Sequence, residues 1–172
     1  GRYSIPPRPS SALTGSTPTI NASVCRPMSE TFQPAGRAGT TSDDLVLPFA
    51  VEELDVRGRG ARLGTSLDES LRKHDYPPAV SKLLGEAVIL NVLVATALKL
   101  EGRVILQLQP DGPVSLLVTD FTSPEGMRGY ARFDADAVAA LGNQPTLTQL
   151  IGDGTMALTI DPRLTNRRYQ GV

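Results

Sequence analysis

The stretch PPAVSKLLGEAVILNVLVATALKLEGRVILQLQPDGPVSLLV, Pro77–Val118, decides the fold. From Ala79 to Leu100 it carries Val80, Leu83, Leu84, Ala87, Val88, Ile89, Leu90, Val92, Leu93, Val94, Ala95, Ala97 and Leu98. Apolar side chains on nearly every face predict a helix enclosed by a domain rather than a surface helix with one apolar stripe. Pro77 and Pro78 suit its first turn, where a missing N–H costs nothing. At 1.5 Å per residue the helix would run about 33 Å, the diameter of a small domain. A membrane span wants ~20 predominantly apolar residues with few or no charges. Gly85, Glu86, Asn91, Thr96 and Lys99 interrupt this one, so it reads as a core element and no membrane partner is expected.

After Glu101-Gly102 the period changes from helix to strand. Val104, Leu106 and Leu108 face one way, and Arg103, Ile105, Gln107 and Gln109 the other. Pro110-Asp111-Gly112-Pro113 is a turn, and turn chemistry accounts for both central residues. Val114, Leu116 and Val118 repeat the alternation on the return strand, giving a hairpin with one half-wet face. This phase places Ile105 and Leu117 on the open side.

Upstream, the folded part begins near Asp43. Leu45-Val46-Leu47 and then Val51 to Val56 have strand-like content, with Pro48 as a break or an edge. Arg57-Gly58-Arg59-Gly60-Ala61-Arg62 suggests a phosphate loop at first sight. Leu63 stands where the third glycine of GxGxxG belongs, so a twisted or bulged strand with wet arginines is the better reading. Thr65 or Ser66 caps a short helix, with Asp68 and Glu69 in its first turn and Leu67 and Leu71 sharing a face. It stops at His74-Asp75-Tyr76. His74 beside Asp75 invites a catalytic reading, but adjacent residues seldom point the same way and no nucleophile elbow accompanies them. Downstream, Met127, Gly129, Ala131 and Phe133 alternate against Arg128, Tyr130 and Arg132. Asp134 caps a helix to Leu141, Thr146 to Ile151 forms a further helical turn, and Thr155 to Ile160 is a strand. Arg168–Val172 reads as a cut made inside a strand.

The chain has 172 residues, a formal net charge of −1 and one cysteine, Cys25. Residues 1–41 hold four Arg and one acid, so the remainder is mildly acidic, unlike the basic footprint of a nucleic-acid binder. No nucleic-acid partner is expected. One cysteine allows no internal disulfide and no cysteine-built metal site. Residues 1–41 also contain six prolines and twelve Ser/Thr without hydrophobic periodicity, and read as a disordered tail. Their composition is similar to that of a transit peptide; translated upstream sequence before a start at Met28 is the preferred alternative.

His74-Asp75-Tyr76-Pro77-Pro78-Ala79-Val80, Leu98–Gly102, Gln107–Pro113, Met127–Arg132, Leu150–Gly154 with Leu158-Thr159-Ile160, and Arg168–Val172 fall in the order and spacing of the Hsp33 family. The resemblance runs from about Asp44 to Val172. It implies an α+β fold, antiparallel sheets packed with a long buried central helix, as the core domain (residues 42–172, incomplete at its C-terminal end) of a redox-regulated, ATP-independent holdase chaperone of the bacterial cytoplasm. Its partners would be unfolded client proteins and, on activation, a second copy of the chain. In that family four cysteines, CxC and CxxC, hold zinc when reduced, and oxidation releases the metal. Cys25 matches none of them, so no cofactor and no metal, catalytic or redox residue is expected in this chain, with zinc assigned to a missing C-terminal domain. Leu100, Ile105 and Leu117 are the candidate client or linker contacts. A non-catalytic interaction domain without the switch is the alternative, and a hydrolase using His74 and Asp75 a weaker one.

Overall fold

The computed structural model describes residues 26–27, 43–98, 101–123, 126–163 and 167–172. Among the described residues, two antiparallel sheets and four α-helices make an α+β fold. The smaller sheet has the order β1 (Arg26–Pro27), β2 (Leu45–Val51), β3 (Val56–Arg62). The larger has the order β6 (Gly126–Phe133), β5 (Val114–Thr122), β4 (Gly102–Pro110), β7 (Gly154–Pro162), β8 (Tyr169–Gly171). Helix α1 (Thr65–Leu71) precedes the long α2 (Pro78–Ala97), and α3 (Ala135–Ala140) and α4 (Leu147–Ile151) fill the crossover from β6 to β7.

The expected helix and hairpin are present. α2 lies across the inner face of β4–β5–β6, with Val80, Leu83, Leu84 and Val88 packed against Val114, Leu117 and Ala131. One turn further on, Val92 and Ala95 meet Val104, Phe121 and, from the smaller sheet, Val46. The helix is long and apolar enough to cross a membrane by length and composition, but its packed side makes it the spine of this core.

Three local expectations give way to longer-range physics. Residues Val51–Val56 are not a second strand. β2 runs through Pro48 to Val51, and a one-turn 3-10 helix, Glu52–Leu54, reverses the chain into β3. Pro48 sits opposite Arg59 in the β2–β3 register. Thr65 and Ser66 do not cap α1 by their own side chains. Asp43 and Asp44, some twenty residues earlier, do so instead. The Asp44 carboxylate accepts from the Gly64 N–H (2.7 Å), the Ser66 N–H (3.2 Å) and the Ser66 hydroxyl, and Asp43 accepts from the Thr65 N–H and hydroxyl (3.1 Å each).

The third concerns Leu117. The β5–β6 register shifts between Val114 and Leu116. This β-bulge puts one extra residue into the strand and turns its alternation over. Val114 points inward, but thereafter Leu117, Thr119 and Phe121 do so, while Leu116 and Val118 turn outward. Leu117 is 1% exposed and belongs to the main core. Its expected place on the open side is therefore corrected.

The β4–β5 turn is also more than a turn. The Asp111 and Gly112 N–H groups donate to the Asp153 (2.8 Å) and Ile151 (3.1 Å) carbonyls, and Asp111 Oδ1 accepts from the Asp153 N–H at 2.8 Å. The turn thus fastens the α4–β7 loop onto the sheet. A Cβ at Gly112 would lie 2.7 Å from the Ile151 carbonyl carbon and the Leu150 oxygen, both backbone atoms that cannot step aside. Gly112→Ala is expected to cost about 1–3 kcal/mol, the range for overpacking, read as a lower urea midpoint.

Candidate functional site

α2 is buried along one side only. Eight of its positions are buried: Val80, Leu83, Leu84, Gly85, Val88, Asn91, Val92 and Ala95. Helical geometry at 3.6 residues per turn puts Lys82, Glu86, Ile89, Leu90, Leu93 and Ala97 together on the opposite side. Lys82 and Glu86 are exposed and 4.0 Å apart in an i,i+4 pair. Beyond that pair the stripe turns apolar: Leu90 is 50% exposed, Ala97 is exposed, and Ile89 and Leu93 are half-buried. Sequence periodicity missed this surface, because a helix apolar all round offers no contrast. The signal that finds it is the Lys82–Glu86 pair, which marks the solvent side and can be followed upward by three and four residues.

The outer face of the large sheet is mixed, with single apolar side chains among polar ones. Ile105 is half-buried there, opposite Asp120 on β5 and Thr159 on β7. Neighbouring rows carry Val118 opposite Tyr130, and Leu116 opposite Arg132. A bidentate pair, Arg103 to Asp120 (Nε to Oδ1 2.8 Å), borders it. The hydrogen bond and charge of Asp120 raise the Arg103 pKa further, so the guanidinium stays charged. Of the three contacts expected from sequence, Ile105 is thus at an accessible face, Leu117 is in the core, and Leu100 lies outside the described residues.

His74 and Asp75 are both exposed. They line a shallow, open hollow of about 530 Å³ with Asp68, Arg72, Lys73 and Ser81. The His74 ring rests between Tyr76 (centroids 5.3 Å apart) and Tyr130 (5.5 Å), an aromatic contact rather than an acid–base pairing with Asp75. Tyr76 accepts a hydrogen bond from the Ala131 N–H at 3.1 Å. Burial lifts its phenol pKa above the ordinary value, with the Ala131 contact working against that rise. Among the described residues no group of three or more His, Cys, Asp or Glu is placed to hold a metal ion, and Cys25 lies outside them. The described residues do not fit a zinc site.

A family model described as Hsp33 protein matches residues 44–172. The chain belongs to the Hsp33 family. A protein of Caulobacter vibrioides named 33 kDa chaperonin is 48% identical over 133 residues, 76% of this chain and 44% of that protein. Proteins of the same name from Pseudomonas putida and Pseudoalteromonas translucida are 41% and 37% identical over 129 residues, 75% of this chain and 42% and 44% of theirs. This Hsp33-family chain therefore spans less than half the length of the curated relatives it matches. The matched region begins at Asp44, the carboxylate that fastens α1.

Proposed function

We propose that this chain is the client-binding part of an ATP-independent holdase chaperone that captures unfolding proteins before they aggregate. Family membership supports the class. The observation that carries the reading is the apolar stripe Ile89, Leu90, Leu93 and Ala97, open along the central helix of the fold. Contiguous exposed apolar surface marks interaction sites, and an aliphatic stripe suits partners that share only exposed hydrophobicity. The outer-sheet area around Ile105 is a second, smaller contact.

Redox control belongs to the same proposal but rests on the family resemblance alone. Thiolate is the zinc ligand, so oxidation of the ligating cysteines would release the metal and unfold the switch. The matched region, residues 44–172, holds no cysteine. The cytoplasm is the compartment that fits a switch held reduced at rest.

The test is light scattering of several unrelated heat-unfolding clients, without ATP, at rising molar ratios of this chain. Suppression of all of them near stoichiometric ratios is expected. A protein that ignores most clients and retains one is a specific interaction module, and the holdase reading then fails.

A further inference from the structure

The outer edge of β6 is closed in an unusual way. Edge strands present unpaired N–H and C=O groups that recruit other strands unless they are blunted or covered. Here the Gly129 N–H donates to Ser70 Oγ and the Ala131 N–H to the Tyr76 hydroxyl, each at 3.1 Å, across 59 and 55 residues of sequence. Side-chain oxygens stand where a neighbouring strand would place its carbonyls. Both belong to one strap, residues 63–76. The strap holds on by Leu63, Leu67, Leu71 and Tyr76, each only partly buried against the core, and by the Asp43 and Asp44 carboxylates at its start. Its seven-residue helix is far shorter than the ~12–15 residues that persist alone in water. The strap's structure therefore depends wholly on being docked.

From this we infer that the outer edge of β6 is a strand-addition site for extended client segments, covered at rest by the strap 63–76. The inference rests on the holdase reading, since the occupant is an unfolded chain. A holdase must accept clients of any sequence, and main-chain hydrogen bonds are the same for every sequence. Strand addition draws affinity from those bonds and modest selectivity from pockets beneath alternate residues. Lifting the strap supplies both at once. It frees the Gly129 and Ala131 amides and opens the side of the core on which Leu63, Leu67, Leu71 and Tyr76 rest.

The test uses the whole chain and two fluorescein-labelled octapeptides of alternating Thr and Val, one plain and one N-methylated at every second residue. N-methylation removes the donors that strand pairing needs and leaves the side chains alone. The plain peptide is expected to bind wild-type protein and to slow hydrogen exchange at Gly129 and Ala131. It should bind a variant carrying Ser70→Ala and Tyr76→Phe roughly tenfold more tightly, the equivalent of the two neutral hydrogen bonds no longer competing. The N-methylated peptide should bind neither. Equal binding of the two peptides to wild-type protein, or unchanged exchange at both amides, overturns the inference even if the variant folds poorly. If aggregation of clients is still suppressed in that case, the edge site alone has failed. If clients are not held at all, the holdase reading has failed with it.

Discussion

Leu117→Ala is expected to destabilise the chain by about 2–5 kcal/mol, whereas Leu116→Ala costs less than about 1 kcal/mol. Leu117 belongs to the core cluster that joins Val80, Leu83, Leu84 and Val88 of α2 to Val114, Ala131, Val138 and Leu150. Truncation removes three heavy atoms from the meeting point of helix, sheet and α3–α4 crossover, and close-packed surroundings collapse only partly onto the gap. Leu116 lies half-buried on the outer face opposite Arg132, where a shortened side chain is replaced by water. With an m-value of ~2 kcal/mol/M, the Leu117 variant should lose about 1–2.5 M of urea midpoint. Equal losses at the two positions would mean that the bulge does not exist in solution.

The second large effect belongs to Asp44. Its carboxylate is 3% exposed and serves as a cap for α1 supplied from outside the helix. Asp44→Ala leaves the Gly64 and Ser66 N–H groups without that acceptor in a part-buried setting, for an expected loss of about 2–4 kcal/mol. Asp44→Asn keeps one carbonyl oxygen and should lose about half as much. Exchange at Gly129 and Ala131 should accelerate in both, since the strap is loosened at its start. A variant that loses global stability while those two amides stay as protected as the rest of β6 would contradict the coupling. The neighbouring Asp43 adds a pH dependence. The Thr65 N–H and hydroxyl, with Arg62 further off, hold its carboxyl below the ordinary value of 3.8. A depressed carboxylate stabilises the fold fully above that ordinary value, and the contribution is lost as pH falls through the lower one. Stability from this group should be flat from neutral pH to about 5 and decline only below about 4.

Sequence patterning made the spine legible, because length separates α2 from the strands and Pro110–Pro113 leaves little choice for the turn. β6 and β7 were equally plain from strict alternation, and Asp134 and Thr146 cap α3 and α4 as local rules require. The failures have physical causes. Val114-Ser115-Leu116-Leu117-Val118 carries a leucine in each phase, so nothing in it announces a bulge. The cap on α1 comes from twenty residues away, beyond the reach of any local motif. The open side of α2 is set by which neighbours the chain supplies, not by the helix itself. Leu117 was therefore sought outside and is inside, while Leu90 and Leu93 were sought inside and lie toward the open face.

The most direct test of the central claim is the ATP-free aggregation assay repeated with Leu93→Glu. The charge enters the middle of the open stripe rather than the packed side, so the unfolding free energy should stay within about 0.5 kcal/mol of wild type. The account predicts that this variant must be present in at least roughly tenfold greater amount to hold the same client, equal to burying one leucine less well. Full holding activity at an unchanged midpoint would contradict it and move the client surface elsewhere on the fold.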